Sequence, residues 1–418
     1  MRLLLVVSSC ACLFAASKDV AAPTYAKEVS RIIQKNCESC HRPGQIGPFP
    51  LTNYKEASAF KAEIKRVTTA HIMPPWSAVP GYGEFKNERH ISDDEIATLA
   101  RWADAGAPMG NAKDLPPAQV YNDGWSLGPP DLAYRMPEPY TLTGNGVDVY
   151  RCFVVPSELT EDKFIRGMEV RPGNRKIVHH VRTFADTTGQ ARKLDEADPA
   201  PGFDCSLGMT QAYKRISIGG WAPGLATTLR AEDTGALFPK GSDVVIEVHY
   251  HKNGLTEKDQ SELGIYLNKG PVKHIAKSAI AANLGIKIPA GAAHHEERAS
   301  YKFNKDVIVT SVLPHMHLLG NEMKMTATLP DGTKKELVWA KPYDFNWQTN
   351  YVYKEPFLLP AGTKVDVVAY YNNSESNPKN PSKPLKEIRW GEGTEEEMLV
   401  GFISYYDAPQ AAAVTAQK

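Results

Sequence analysis

The chain lacks an excess of charge of either sign: 48 Lys and Arg balance 48 Asp and Glu over 418 residues. The basic residues form no block or helical stripe, which argues against a nucleic-acid partner. It also lacks a run long and apolar enough to span a bilayer. The uncharged stretch from Leu3 to Ser17 is too short for that. Placed behind Arg2 and ahead of small residues and Lys18, it has the layout of an export signal. The reading is an exported protein, periplasmic or secreted, with residues 1–22 as signal and short N-terminal segment. Cys10, after Val7, Ser8 and Ser9, makes a poor lipoprotein acceptor, so a lipid anchor is the lesser alternative to cleavage.

Cysteine is scarce as well, and the six present sort by subtraction. Cys10 and Cys12 leave with the signal, and Cys37 and Cys40 belong to a motif described below. Cys152 and Cys205 remain, and in an oxidising compartment a leftover pair defaults to a structural disulfide. No free thiolate is then left for a blue-copper or zinc-thiolate site.

At about 150 residues per domain the length suggests two or three domains, and composition favours three. Residues 23–112 read as a small all-α domain. Val29, Ile32 and Ile33 form an apolar stripe, and Phe60 and Ile64 stand four apart. A helix starts at Ser92, with Glu95 placed to reach back, Ile96, Leu99 and Trp102 on one face, and Gly106 and Pro108 as the stop. Residues 113–140, rich in Pro and Gly, read as a linker. From residue 141 short Val, Ile, Thr and Tyr runs alternate with turn residues, the pattern of antiparallel β-sandwiches.

One internal echo divides that region. Phe238-Pro239-Lys240-Gly241-Ser242 feeds Val244, Ile246, Val248 and Tyr250, while Leu359-Pro360-Ala361-Gly362-Thr363 feeds Val365, Val367, Ala369 and Tyr371. Two mainly antiparallel, jelly-roll-like sandwiches are expected, over 141–270 and 271–408, with a seam at Asn268 to Pro271 and a disordered tail over 409–418.

Cys37-Glu38-Ser39-Cys40-His41 has the spacing at which two thiols attach a haem c covalently and the next residue ligates its iron. A zinc site would want a second cysteine pair, and a thioredoxin-like motif a βαβ context. Neither is present. Met73, in Ile72-Met73-Pro74-Pro75-Trp76, is the candidate second axial ligand, because two prolines fix a loop there; His71, His90 and Met109 are its rivals.

Histidines concentrate in the β region as His179-His180, His249-Tyr250-His251 and His315-Met316-His317. In the strand from Val244 the even positions are apolar, so Glu247, His249 and His251 lie on the opposite face. His315 and His317 share a face and can grip one metal, and imidazole suits copper or zinc. His294-His295, beside Glu296, Glu297 and Arg298, reads as a solvated loop and is excluded.

Four stretches in order resemble a known family. They are Lys176-Ile177-Val178-His179-His180, Ile246-Glu247-Val248-His249-Tyr250, Pro314-His315-Met316-His317-Leu318-Leu319-Gly320, and Glu397-Met398 through Tyr406. Together, over roughly residues 145–407, they are similar to the metal-binding stretches of the copper type II, ascorbate-dependent monooxygenases, whose familiar members act on peptidylglycine and dopamine. The resemblance implies two copper ions. His179, His180 and His249 would hold the electron-transfer copper, and His315, His317 and Met398 the copper that activates O2. It also matches Cys152 and Cys205 to a family disulfide. Two adjacent strand residues such as His179 and His180 point to opposite faces, so both reach one copper only where the strand twists or ends.

The implied activity is hydroxylation of a C–H bond with O2, the electrons coming from ascorbate or a redox protein. The familiar members lack the N-terminal haem domain, which reads here as the place where electrons are taken in. The peptide enzyme holds a substrate carboxylate through an Arg and polar residues; Leu313, Val400 and Phe402 occupy those positions here. An apolar pocket and a small or mainly apolar organic substrate are therefore expected. The competing readings are a non-catalytic copper and haem electron carrier or copper-binding protein, and a zinc-dependent lyase or hydrolase.

Overall fold

A computed structural model describes residues 21–86, 88–121, 124–206, 215–222, 225 and 227–409. The expected signal with Cys10 and Cys12, and the tail over 410–418, lie outside the described residues. The chain is mostly β with few helices, and it divides into two compact units. No described helix is long and apolar enough to cross a membrane.

The smaller unit takes residues up to Arg42, Phe49–Met73 and Ile91–Ala118. Helices Ser30–Asn36, Tyr54–Ala59, Lys61–Thr69 and Asp93–Asp104 pack around Val29, Ile33, Leu51, Ile64, Leu99 and Trp102. The last helix begins as its sequence dictates. The Ser92 hydroxyl accepts from the Glu95 N–H at 3.2 Å, and the Glu95 carboxylate accepts the Ser92 N–H at 3.0 Å. Gly106, at φ +83°, then turns the chain out of the helix, and the Trp102 indole N–H donates to Pro108 O at 3.1 Å.

The larger unit takes Pro43–Pro48, Pro74–His90 and the chain from Gln119 onward. It contains two pairs of sheets. In the first pair, a five-stranded sheet in the order Leu132–Arg135, Glu262–Leu267, Lys163–Arg171, Thr234–Phe238, His274–Ile275 faces another in the order Phe203–Asp204, Val149–Pro156, Asp243–Tyr250, Val178–Asp186, Arg215–Trp221. Both sheets feed one core, through Ile165, Leu263 and Phe238 from one and Phe153, Val181, Ile246 and Tyr250 from the other.

In the second pair, four strands in the order Lys277–Ala282, Val400–Asp407, Val307–His315, Tyr351–Leu359 oppose four in the order His295–Lys302, Lys364–Tyr371, Gly320–Thr328, Lys334–Ala340. Their shared core includes Val309, Val312 and Ile403 from one sheet and Met325, Val367 and Tyr371 from the other. Gly401 marks a close approach of the two sheets: a Cβ there would lie 2.9 Å from both Met325 Cε and Val367 Cγ2.

The echoed turns do feed matching strands, Asp243–Tyr250 and Lys364–Tyr371. Three expectations are corrected in detail. The stretch read as linker already contains strand Leu132–Arg135, paired with Glu262–Leu267, and Tyr134 and Met136 are buried in the first core. The chain passes from the first sheet pair to the second between Ile275 and Lys277, because His274–Ile275 still pairs with Thr234 and Gly235. The solvated-loop reading holds for His294, an exposed bend, but not for His295, which opens strand His295–Lys302 opposite Tyr371.

Candidate metal centres

A row across one sheet builds the first centre: Tyr150 pairs with His249, and His249 with His180. The conflict between adjacent histidines is resolved by a bulge. Val178 pairs with Tyr250 and His180 with His249, so His179 is the extra, unpaired residue, which frees its side chain to turn toward the same place. The Nδ1 atoms of His179 and His180 are 3.2 Å apart, as are those of His180 and His249. Nitrogens bound to one metal at about 2.0 to 2.1 Å sit at roughly this spacing, and the three donor atoms lie within 4.8 Å of one another.

Asp148 chooses the presented nitrogen. The His249 Nε2–H donates to Asp148 Oδ2 at 2.9 Å, which leaves the Nδ1 lone pair facing the other two rings. The same carboxylate accepts from His251 Nδ1 at 3.0 Å and from the Thr394 hydroxyl at 2.7 Å. Three donors hold Asp148 well below the usual carboxylate range despite its burial. His251 is therefore a partner of Asp148, outside the converging trio. Glu247 and His249, on the face expected to differ from the core face, are buried too, at 1% and 2% exposure. Glu247 accepts from the Arg182 guanidinium, which also reaches Glu392 at 3.3 Å. Behind it lies the Cys152–Cys205 disulfide, with Cα atoms 5.9 Å apart.

The second centre is built at the end of strand Val307–His315. The rings of His315 and His317 are 5.3 Å apart. The His315 Nδ1–H donates to Gln348 Oε1 at 3.0 Å, and the His317 Nδ1–H to Glu396 O at 3.0 Å, so each histidine presents Nε2. Met398, 4% exposed, is placed by its backbone: its N–H donates to Glu397 Oε2 at 3.1 Å, and its carbonyl accepts from the Tyr371 hydroxyl at 2.8 Å. Glu397 also accepts from His317 N at 2.8 Å and Leu319 N at 2.7 Å, tying the histidine segment to the methionine segment. Burial pushes this carboxyl up to about 8, although those N–H donors pull the other way. The Tyr343 hydroxyl fixes Met316, between the histidines, by donating to its carbonyl and accepting its N–H.

Burial pushes His179 and His315 down to about 3 and His317 down to about 4, and lowers His180 and His249 as well. These rings stay neutral at ordinary pH with their lone pairs available. Elsewhere, His294 is exposed against Tyr370, and His295 lies beside Glu297.

Leu313 pairs with Phe402 and His315 with Val400, so these side chains share one face. The rings of His315 and Phe402 are 6.4 Å apart. Val400 is fully buried, while Leu313 and Phe402 are half-buried. Ile280, opposite Phe402 and 39% exposed, extends the apolar row and was not singled out from the sequence. Asp148, Thr394, Gln348, Tyr343 and Phe345 also carried no local signal; each reaches the histidine segments through a contact far along the chain.

In the small unit the His41 Nδ1–H donates to Phe49 O at 3.0 Å, which directs Nε2 outward as an iron ligand requires. Burial pushes the Cys37 thiol up to about 12. Met73 is half-buried, its N–H donating to Val67 O at 3.2 Å. Of the rivals, His71 is exposed, Met109 packs on the small core, and His90 groups with the larger unit.

Fold and geometry define a mostly β protein in which His179, His180 and His249 of the first sandwich converge, and His315 and His317 of the second form a pair, all of them half-buried or buried. Residues 280–417 match the family model described as copper type II ascorbate-dependent monooxygenase, C-terminal domain. No curated protein matches the chain. Among solved structures, the major capsid protein P2 of bacteriophage PM2 aligns at 7% identity over 67% of this chain and 100% of that chain, with a TM-score of 0.25. A structure of infectious bursal disease virus strain Gx aligns at 11% identity over 71% and 76%, with a TM-score of 0.18. Likeness this slight carries no functional conclusion.

Proposed function

We propose that the protein is a copper-dependent monooxygenase that hydroxylates a C–H bond of a small or mainly apolar organic substrate with O2. The observation that carries this reading is the convergence of His179, His180 and His249 on one point, with His315 and His317 presenting Nε2 within the family-matched segment. His179, His180 and His249 would hold one copper, and His315, His317 and Met398 the other. Cys37 and Cys40 would attach a haem c, with His41 and Met73 as its axial ligands. These groups, when bound, supply one-electron transfer and O2 activation.

The protein's own residues orient and exclude. Asp148, Gln348 and the Glu396 carbonyl fix which ring nitrogen each histidine offers. Leu313, Phe402 and Ile280 give the second centre an apolar flank without a charged group to clamp a carboxylate. Electrons would reach the His179 centre from the haem, in place of or alongside ascorbate.

The decisive experiment is anaerobic reduction of the purified protein with copper counting, then O2 exposure over a substrate panel with mass detection of a one-oxygen gain. Two coppers and a hydroxylated product are expected. Reversible redox cycling with no product would favour the electron carrier. Met398→Ala should abolish O2-dependent turnover and leave haem absorbance and the His179 copper intact; unaltered turnover would remove Met398 from the centre.

A further inference from the structure

We propose that Phe345 is a positioning residue that fixes the separation of the two histidine sets. This rests on reading both sets as copper sites. Phe345 belongs to the second sandwich, yet its ring stacks on His179 of the first at 4.8 Å between centroids and 23° between planes. The same ring meets His317 edge-on at 5.5 Å and 68°. One phenyl group therefore touches an imidazole of each set, and the two imidazoles lie within about 10 Å of each other.

The turn carrying the ring is anchored to the second sandwich. Tyr343 is pinned at Met316 through two hydrogen bonds. Asp344 closes the turn: its carbonyl accepts from Trp347 N at 2.9 Å, its carboxylate accepts from Asn346 N at 3.1 Å, and Lys379 holds that carboxylate at 2.9 Å. Gln348 donates to Phe345 O at 3.3 Å while its own oxygen holds His315. From this anchored turn the ring reaches His179. Phe345 is itself only 7% exposed, so its ring is buried where it meets the two imidazoles.

A phenyl ring has neither donor nor lone pair, so it ligates nothing and leaves both sets of ring nitrogens free. What it supplies is thickness and flatness. Stacking restricts rotation of the His179 ring, whose Nδ1 must point at His180, and the ring's width sets how closely His317 approaches.

The test is the full-length protein loaded with Cu(II), read by copper content and by the dipolar splitting between the two Cu(II) spins. The native protein should bind two ions with one narrow separation. Phe345→Ala should keep both ions but broaden and lengthen that separation, with turnover down roughly tenfold to a hundredfold, as small misplacements cost. Phe345→Tyr should restore both readouts, which loss of fold would not explain. Phe345→Leu fills much of the volume without the flat face and should also broaden the separation, which keeps the test decisive if the alanine variant does not fold. An unchanged separation in the leucine or alanine variant overturns the proposal alone. A native protein that binds fewer than two coppers overturns the copper reading and this proposal with it.

Discussion

A single carboxylate, Asp148, takes hydrogen bonds from His249, His251 and Thr394, and through them joins the two sandwiches at the first centre. Its task follows from the chemistry of imidazole. A neutral ring offers one lone pair, and the partner on the opposite nitrogen decides which. Replacing Asp148 with Ala frees the His249 ring to choose the other tautomer, and loss of such an outer partner lowers metal affinity about tenfold to a hundredfold. Chelator competition on Asp148→Ala should show that loss at the His179 centre and none at the His315 centre; equal affinity at both would mean that Asp148 orients nothing. At this scale the sequence revealed the histidines, through their pairing and strand parity. It did not reveal Asp148, which follows a Gly-Asn-Gly-Val turn, nor that Glu397, the first residue of the Met398 stretch, is completely buried and holds His317. Their partners lie 101 and 80 residues away, beyond any local pattern.

At the scale of the element, position is set by register. The alternation from Val244 to Tyr250 places His249 correctly opposite the core face, and the paired strands confirm the turns that precede them. Alternation could not expose the bulge at His179, because a bulge is a property of two strands and only one is visible in a local window. The same limit applies to strand Leu132–Arg135, whose short apolar pattern is interrupted by prolines and becomes a strand only beside Glu262–Leu267. In the second sandwich, Gly401 lies between Val400 and Phe402, opposite Pro314, and lets this strand lie close against Met325 and Val367. The Met325 methyl can move aside, whereas β-branched Val367 is stiff. Gly401→Ala should therefore lower stability by about 1 to 3 kcal/mol, the usual cost of overpacking. Thermal unfolding of the copper-free variant measures it, and an unchanged midpoint would mean that the sheets separate at no cost.

For the whole molecule, the boundary between the units does not follow the sequence in order. Composition divides the chain cleanly into a helical start and a β remainder, but residues Pro74–His90 group with the larger unit. Within that unit Phe85 is 3% exposed in the second sandwich's core, Ala78 bridges to Ala340, and Phe85 bridges to Tyr353. Trp76 packs edge-on against both Phe85 and Tyr351. No strand-like periodicity marks this segment, since it contributes single bridges and aromatic rings where a strand would contribute a run. The consequence concerns any attempt to separate the β region from the Cys37-Glu38-Ser39-Cys40-His41 motif. A chain beginning at Gln119 forfeits Phe85, a buried aromatic of the kind whose truncation to Ala costs about 3 to 5 kcal/mol, together with Trp76 and Ala78. A chain beginning at Pro74 keeps all three and still lacks Cys37, Cys40 and His41. The first should unfold at a markedly lower temperature than the second, and the second should bind the same number of coppers as the full chain while showing no haem absorbance. Equal unfolding temperatures for the two truncated chains would mean that Pro74–His90 adds nothing to the second sandwich. With that comparison in hand, turnover by the chain beginning at Pro74 measures what the residues before it contribute, the Cys37–His41 motif together with Pro43–Pro48, which group with the larger unit.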